Sequence, residues 1–456
     1  MDEEREGNGM AQDLADVDIA VVGAGISGLT AAYRLREAGR RPVVFESQEA
    51  VGGRMKARRV DGWIVEEGTE TLAAAGYDAT WRLIRSVGLD RNGGVRKVTS
   101  LAGVWRNGRA HAGTGHWFGA LSGSGLSLGG RMALSSLVGE IAGSAGGFDT
   151  RHPGQSPLAT RTVASLAAGR DRELYDYVLQ PAVATAWAWD PHRSCAGPLV
   201  STMLSTRGLL GWRTYRDGMD SLARAVAERL DVRTGRAVTE VKDTDAGVTL
   251  VFADGQTVTA REVVLAVPAP LADKLRPGAP ADETPFLQAA SYTPMMRITC
   301  LVDRPLMPPQ RRGTPAVYAV LVPEVEDGCV SGVTFEHAKA ANRAPAGRGL
   351  VSILTARRAT RELLDAPDEE VLTALVPRAE RYAPGLGAAL RQAFVHRFPH
   401  ASPEASPRAL RLQSAFVGRE ARAVEYAGDW VYQRPSSEAA VQSGEWAAER
   451  LLSRTA

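Results

Sequence analysis

Six residues near the amino terminus, Gly23-Ala24-Gly25-Ile26-Ser27-Gly28, form a Gly-x-Gly-x-x-Gly, and an acid, Glu46, follows at the spacing of a ribose ligand. These residue types in this order can hold a pyrophosphate and a sugar. Gly23 permits a tight turn, Gly25 lets backbone approach the phosphates, and Gly28 lets a helix pack closely on a strand. The first helical N–H groups, around Ile26 and Ser27, offer a positive dipole end to the anion. Glu46 can accept hydrogen bonds from ribose hydroxyls. The elements that must position these groups are also present. The apolar run Val17–Val22 reads as a buried parallel strand. Leu29, Ala32, Tyr33 and Leu35 give a helical stripe that stops at Gly39, and Pro42-Val43-Val44-Phe45 reads as a second strand leading to Glu46. Strand, glycine turn, helix, strand and acid together predict one βαβ dinucleotide-binding unit.

Beyond Glu46 come Gly52-Gly53-Arg54 and then Glu66-Glu67-Gly68-Thr69-Glu70. A fixed guanidinium such as that of Arg54 suits two-pronged contact with phosphate. The acid, short spacer and Gly-Gly-Arg resemble the flavin amine oxidase, protoporphyrinogen oxidase and phytoene desaturase superfamily. The resemblance returns near residues 215–270, in Val238 through Asp254-Gly255 to Val263-Val264-Leu265-Ala266-Val267-Pro268. It returns again at the carboxyl end, in Ala427-Gly428-Asp429 and Ser437-Glu438-Ala439-Ala440-Val441-Gln442-Ser443-Gly444. It implies a non-covalently held FAD. Gly52, Gly53 and Arg54 would run along the cofactor, with Gly68, Thr69 and Glu70 beside the flavin ring. The main chain of Val238 would meet the adenine. Gly428 and Asp429 would meet the ribityl chain or phosphate, and Ala439 would begin the helix aimed at the ring.

The substrate side is read from fewer signals. Glu66 and Glu67 have two open readings: hydrogen bonding to local backbone, or facing the substrate as a base or cation anchor. Met295-Met296-Arg297-Ile298-Thr299-Cys300 falls on the strand where amine oxidases usually carry a lysine that holds a water near the flavin. Here Arg297 takes that place, a departure from the pattern. Arg297 would bind a carboxylate or polarise a carbonyl, or else be a salt-bridged residue on an edge strand. Tyr175, Trp187 and Trp189 make the most aromatic stretch of the chain. With Phe335 they are candidates for a pocket wall over a flat or apolar substrate, against the plainer reading of core packing.

A chain of 456 residues exceeds one compact core. The expected fold class is α/β: a three-layer Rossmann-like FAD domain around a central parallel sheet, with an inserted α+β substrate-binding domain. The FAD domain is expected from residues 15–90, 215–275 and 410–456, and the substrate domain from 91–214 and 276–409. Residues 1–14 read as a disordered tail. A net charge of +2 gives no electrostatic footprint for nucleic acid. Cys195, Cys300 and Cys329 are dispersed and odd in number, which speaks against disulfides and zinc, implies no metal site and fits a cytoplasmic setting. No apolar run reaches the length of a membrane span.

The resemblance implies an oxidoreductase that removes hydride from a C–N or CH–CH bond of a small specialised metabolite. The product would be an imine or an alkene, with O2 as electron acceptor. Porphyrinogen oxidation, carotenoid-type desaturation and a non-redox FAD isomerase are the alternatives, and oligomeric state stays open.

Overall fold

A computed structural model describes residues 16–113, 125–208 and 211–454. The expected amino-terminal tail and most of the Gly/Ser-rich stretch before residue 125 lie outside these residues. Val17–Val22 is a strand in which Ile19 and Val21 face one apolar core while Ala20 and Val22 face another. Both faces are therefore covered, which is why the run is continuously apolar rather than alternating. Parallel pairing joins, in order, Asp231–Arg233, Pro42–Phe45, Val17–Val22, Thr257–Leu265 and Val424–Tyr426. The helices Ile26–Glu37 and Ser437–Ser453 pack on one face of this sheet. Gly444 sets their separation: a Cβ there would lie 2.3 Å from the Ser27 carbonyl oxygen. The other face is covered by an antiparallel meander, Val238–Thr244, Gly247–Phe252 and the start of Thr257–Leu265, and by short helices that bring Phe286 and Phe416 onto it.

A second seven-stranded sheet runs in the order Leu390–Pro403, Tyr292–Val302, Gly349–Thr355, Val330–Phe335, Val317–Leu321, Leu101–Arg106, Arg109–Ala112. All its pairs are antiparallel except Val317–Leu321 with Leu101–Arg106. Asn107 and Gly108, both at positive φ, close the last hairpin, as Asn-Gly predicts. Tyr292–Val302 is flanked on both sides, so Arg297 sits inside this sheet and not on the edge strand that the sequence also allowed. A third, helical layer carries its own core, built around Leu166, Leu174, Val183, Trp189 and Leu199.

One expectation fails here. Trp189 and Phe335 retain no accessible surface, each being enclosed in an apolar core, so neither can present a ring to a pocket. The Trp189 indole N–H donates to the Pro403 carbonyl at 2.8 Å, which satisfies its one polar group inside that core. Asp220 precedes the helix Ser221–Ala227, but its carboxylate takes Arg59 and Arg224 and leaves the helix end without a side-chain cap. Among the described residues no helix is long and apolar enough to cross a membrane.

Candidate active site

The glycine turn links the first strand to the first helix at the carboxyl end of the parallel sheet. Gly23 has φ +105°, and a Cβ on it would stand 2.7 Å from the Ala266 carbonyl oxygen. A Cβ on Gly28 would stand 2.1 Å from the Gly23 carbonyl oxygen. Gly25 differs: nothing lies within 4 Å of where its Cβ would be, so its backbone faces open space. The helix beginning at Ile26 has no side-chain cap and no acid in its first turn. An uncapped helix end facing open space is what a bound pyrophosphate requires.

Glu46 stands beside this space. Its Oε2 accepts from the Ala24 N–H at 2.8 Å and its Oε1 from the Gln48 N–H at 2.9 Å, so the carboxylate is locked against the turn. Gly52, at φ +110°, donates its N–H to the Ala24 carbonyl at 2.9 Å, and a Cβ on Gly53 would lie 3.5 Å from the Gly25 Cα. Arg54 then reaches across the chain. Its two amino groups make 2.8 Å bonds to the two carboxylate oxygens of Asp429, and one also donates to the Ala401 carbonyl. Burial opposes the Arg54 charge, and Asp429 outweighs it, so the guanidinium is held firmly cationic. A third of its side chain stays accessible. Tyr292 covers the pair with its ring 5.8 Å from the guanidinium, and burial pushes its phenol well above the ordinary value. Gly428 passes so close to Trp430 that a Cβ would lie 2.4 Å from the indole, and its N–H donates to Ser443. Ala439 is buried in the first turn of the last helix, where its N–H is capped by Ser436. Val238 starts the meander strand, half-buried, paired with Phe252.

From this cradle the chain passes directly to the second sheet. The Thr69 N–H donates to the Arg54 carbonyl at 3.0 Å, and a Cβ on Gly68 would strike that same oxygen at 2.4 Å. The Gly68 carbonyl in turn accepts from Arg297. Here lies a cluster of six charged side chains: Glu66, Glu70, Glu336, Arg297, Lys339 and Arg343. Arg297 donates to Glu70 and Glu336, each at 2.7 Å, and to the Ser352 hydroxyl at 2.8 Å. Lys339 pairs with both Glu66 and Glu336. Arg343 lies 2.8 Å from the other oxygen of Glu66. Three carboxylates thus balance three cations. Burial opposes the charge on Lys339, but Glu336, Glu66 and Glu70 outweigh it and hold the ammonium above its ordinary value. Burial also opposes Glu336, which Lys339 and Arg297 nevertheless hold well below the usual carboxylate range.

The candidates from sequence therefore separate. Glu66 is fully buried and ion-paired, so it faces no substrate. Glu67, pointing the other way along the strand, lies 4.0 Å from Lys56 and 3.8 Å from Arg58. Both amino groups of Arg297 are engaged, which leaves it no free fork for a substrate carboxylate. Glu70 faces the cluster through one oxygen, which accepts from Arg297. Trp187 is partly exposed, its ring 4.8 Å from Trp189, and its carbonyl accepts from Thr293, next to Tyr292. The Tyr175 hydroxyl pairs with His192 at 2.9 Å. Sequence reasoning passed over Glu336, Lys339, Arg343 and Tyr292. One signal was available: lysine occurs only five times in the chain, and Lys339 follows Glu336 by one helical turn, just after an apolar strand.

Known proteins share this fold. Putrescine oxidase, solved in its wild-type form bound to putrescine, superposes with a TM-score of 0.75 at 19% identity, over 97% of this chain and 100% of that one. A protein described as a putative protoporphyrinogen oxidase from Exiguobacterium sp. 255-15 superposes with a TM-score of 0.73 at 19% identity, over 98% of this chain and 100% of that one. In sequence, the mitochondrial protoporphyrinogen oxidase of Nicotiana tabacum is 29% identical over 184 residues, 38% of this chain and 33% of that enzyme. The chain thus spans about a third or less of the curated relatives it matches. A family model described as flavin containing amine oxidoreductase matches residues 26–452. The chain belongs to the flavin-containing amine oxidoreductases, a family of FAD-dependent enzymes.

Proposed function

We propose that this protein is an oxidase that removes hydride from the carbon of a C–N bond in a small amine, leaving an imine, with O2 as electron acceptor. FAD supplies the hydride-accepting chemistry when bound. The observation that carries the amine reading is Glu70. It is a carboxylate that keeps accessible surface two residues from Gly68, where the nucleotide cradle meets the substrate sheet. A carboxylate in that position attracts an ammonium ion and has no use for a carboxylate substrate. The chain's own residues divide the remaining work. Gly25 and the helix end take the pyrophosphate, Glu46 the ribose, and Arg54 with Asp429 the adjoining polar chain. Arg297 ties the Gly68 carbonyl to Glu70 and Glu336 and fixes the geometry between the two sheets. The cofactor is held without a covalent bond: Cys300 and Cys329 lie in or against the core of the second sheet and Cys195 in the helical layer, all away from the cradle. Acid precipitation is expected to release all of the flavin.

The test is anaerobic mixing of the yellow holoenzyme with a panel of primary and secondary amines, followed by admission of air. Bleaching by an amine and recovery with peroxide formation support the reading. A flavin that no amine reduces refutes it. A CH–CH reading has one observation in its favour, the 184-residue stretch shared with the tobacco protoporphyrinogen oxidase. Bleaching by a porphyrinogen, with every amine inert, would select it.

A further inference from the structure

Within the six-residue charge cluster one member stands apart. Side-chain exposure is 2% or less for Arg297, Glu336, Lys339, Glu66 and Arg343, but 18% for Glu70. Oε1 of Glu70 accepts from Arg297 at 2.7 Å and lies 3.2 Å from the Thr334 hydroxyl, whose nearer acceptor is Glu336 at 2.7 Å. Oε2 takes no hydrogen bond among the described residues. The carboxylate is thus tethered by one oxygen and free at the other, and it keeps accessible surface.

We propose that Glu70 is the proton-exchanging group of this site, accepting a proton at its free oxygen from the ammonium form of the substrate and passing it to solvent. An N–H bond of the ammonium breaks and its electron pair stays on nitrogen. An O–H bond forms at Glu70 Oε2. The amine then carries the lone pair that loss of hydride from the adjacent carbon requires.

The cluster is built to tolerate this exchange. With Glu70 ionised it sums to zero, and with Glu70 neutral to +1. Arg297 keeps Glu336 and Ser352 when Glu70 is neutral, so no buried cation is stranded. Groups facing Glu70 come from every packed element: Arg297 from its strand, Glu336 and Lys339 from the short helix after Phe335, Glu66 from the hairpin, and Tyr318 from the strand Val317–Leu321. Burial raises the Glu70 pKa above the ordinary carboxylate value, and the neighbouring Glu336 and Glu66 add to this against Arg297 and Lys339. A carboxylate so placed is a better base than a solvated one. None of the other five members has the exposure to exchange a proton with substrate. The identity of the donor rests on the amine reading above, whereas the titration of Glu70 does not.

The experiment is infrared difference spectroscopy of the flavin-loaded enzyme between acidic and alkaline buffers, over a pH range above that in which surface carboxylates titrate. The wild type should show a protonated-carboxyl band that grows as pH falls and is lost in Glu70→Gln. Absence of the band in wild type, or its survival in Glu70→Gln, overturns the proposal. Glu70→Asp, which keeps a carboxyl but shortens its reach to Arg297 and so weakens the bond to the ionised form, should move the band's midpoint upward and keeps the test decisive if Glu70→Gln does not fold; an unmoved midpoint counts against it. Anaerobic bleaching by benzylamine across pH supplies the second arm. An acid limb in wild type that disappears in Glu70→Gln supports the donor assignment. A Glu70-dependent band with no bleaching leaves Glu70 as the proton site and removes the amine reading.

Discussion

Replacing Lys339 with methionine preserves the length and apolar body of the side chain and deletes one charge. Lys339 has no exposed surface and pairs with Glu66 and Glu336, which have none either. The cluster would pass from zero to −1 in a space that water does not reach. Removing one partner from a buried ion pair typically destabilises by about 3–5 kcal/mol, because the remaining charge is left uncompensated. Arg58→Met is the control: Arg58 is half exposed and 3.8 Å from Glu67, a contact worth about 0–1 kcal/mol. A difference of about 3 kcal/mol is roughly a hundredfold in the folding equilibrium. The double variant Lys339→Met/Glu336→Gln restores charge balance and should recover a large part of the loss. The assay is thermal unfolding by circular dichroism at one fixed excess of FAD, since bound ligand shifts apparent stability. The expected order of midpoints is wild type, Arg58→Met, the double variant, then Lys339→Met. A Lys339→Met midpoint no lower than that of Arg58→Met would refute the claim that charge balance in the cluster matters to the fold.

Gly25→Ala should leave the fold and its circular dichroism intact, because open space awaits the methyl group, while FAD affinity falls by about tenfold or more through lost backbone approach; equal flavin content in both proteins would contradict the placement. Gly28→Ala should instead prevent folding, since its Cβ meets a backbone oxygen at 2.1 Å. His396 is held neutral, its pKa pushed down to about 3 by burial and then by Arg297, Arg58 and Lys56. An unfolded chain protonates it near 6.5, so stability present above that pH is lost as pH falls toward 3, by at most about 5 kcal/mol. His396→Phe should flatten this part of the acid unfolding profile. The raised Glu70 pKa works in the opposite direction, its stabilisation being present at low pH and lost as pH rises through the folded value. Trp189→Ala should destabilise by about 3–5 kcal/mol while leaving the flavin spectrum unchanged, as expected of a core residue; a spectral shift would return it to the pocket wall.

The nucleotide half was legible because its signals are local. Gly23, Gly25 and Gly28 act through backbone conformation and close approach, and Glu46 follows its strand directly. Spacing along the chain therefore carries the geometry, and the apolar runs around them announce a sheet covered on both faces. The substrate half was not legible in this way. Arg297 was visible as a departure, yet its meaning depended on Glu70, Glu336 and Ser352, which reach it from three other segments. Glu66 and Glu70 are four residues apart with the same side chain. One is sealed between Lys339 and Arg343 and the other stays open, and no pattern in the sequence separates them. Aromatic density around Trp187 and Trp189 likewise could not say which ring would be enclosed. What the chain alone determined through short-range stereochemistry is a dinucleotide-binding half, and the resemblance of Gly52-Gly53-Arg54 and the later segments to a flavin family is what implied FAD. Which carboxylate is free was decided by tertiary packing, because burial and charge pairing are set by side chains hundreds of residues apart.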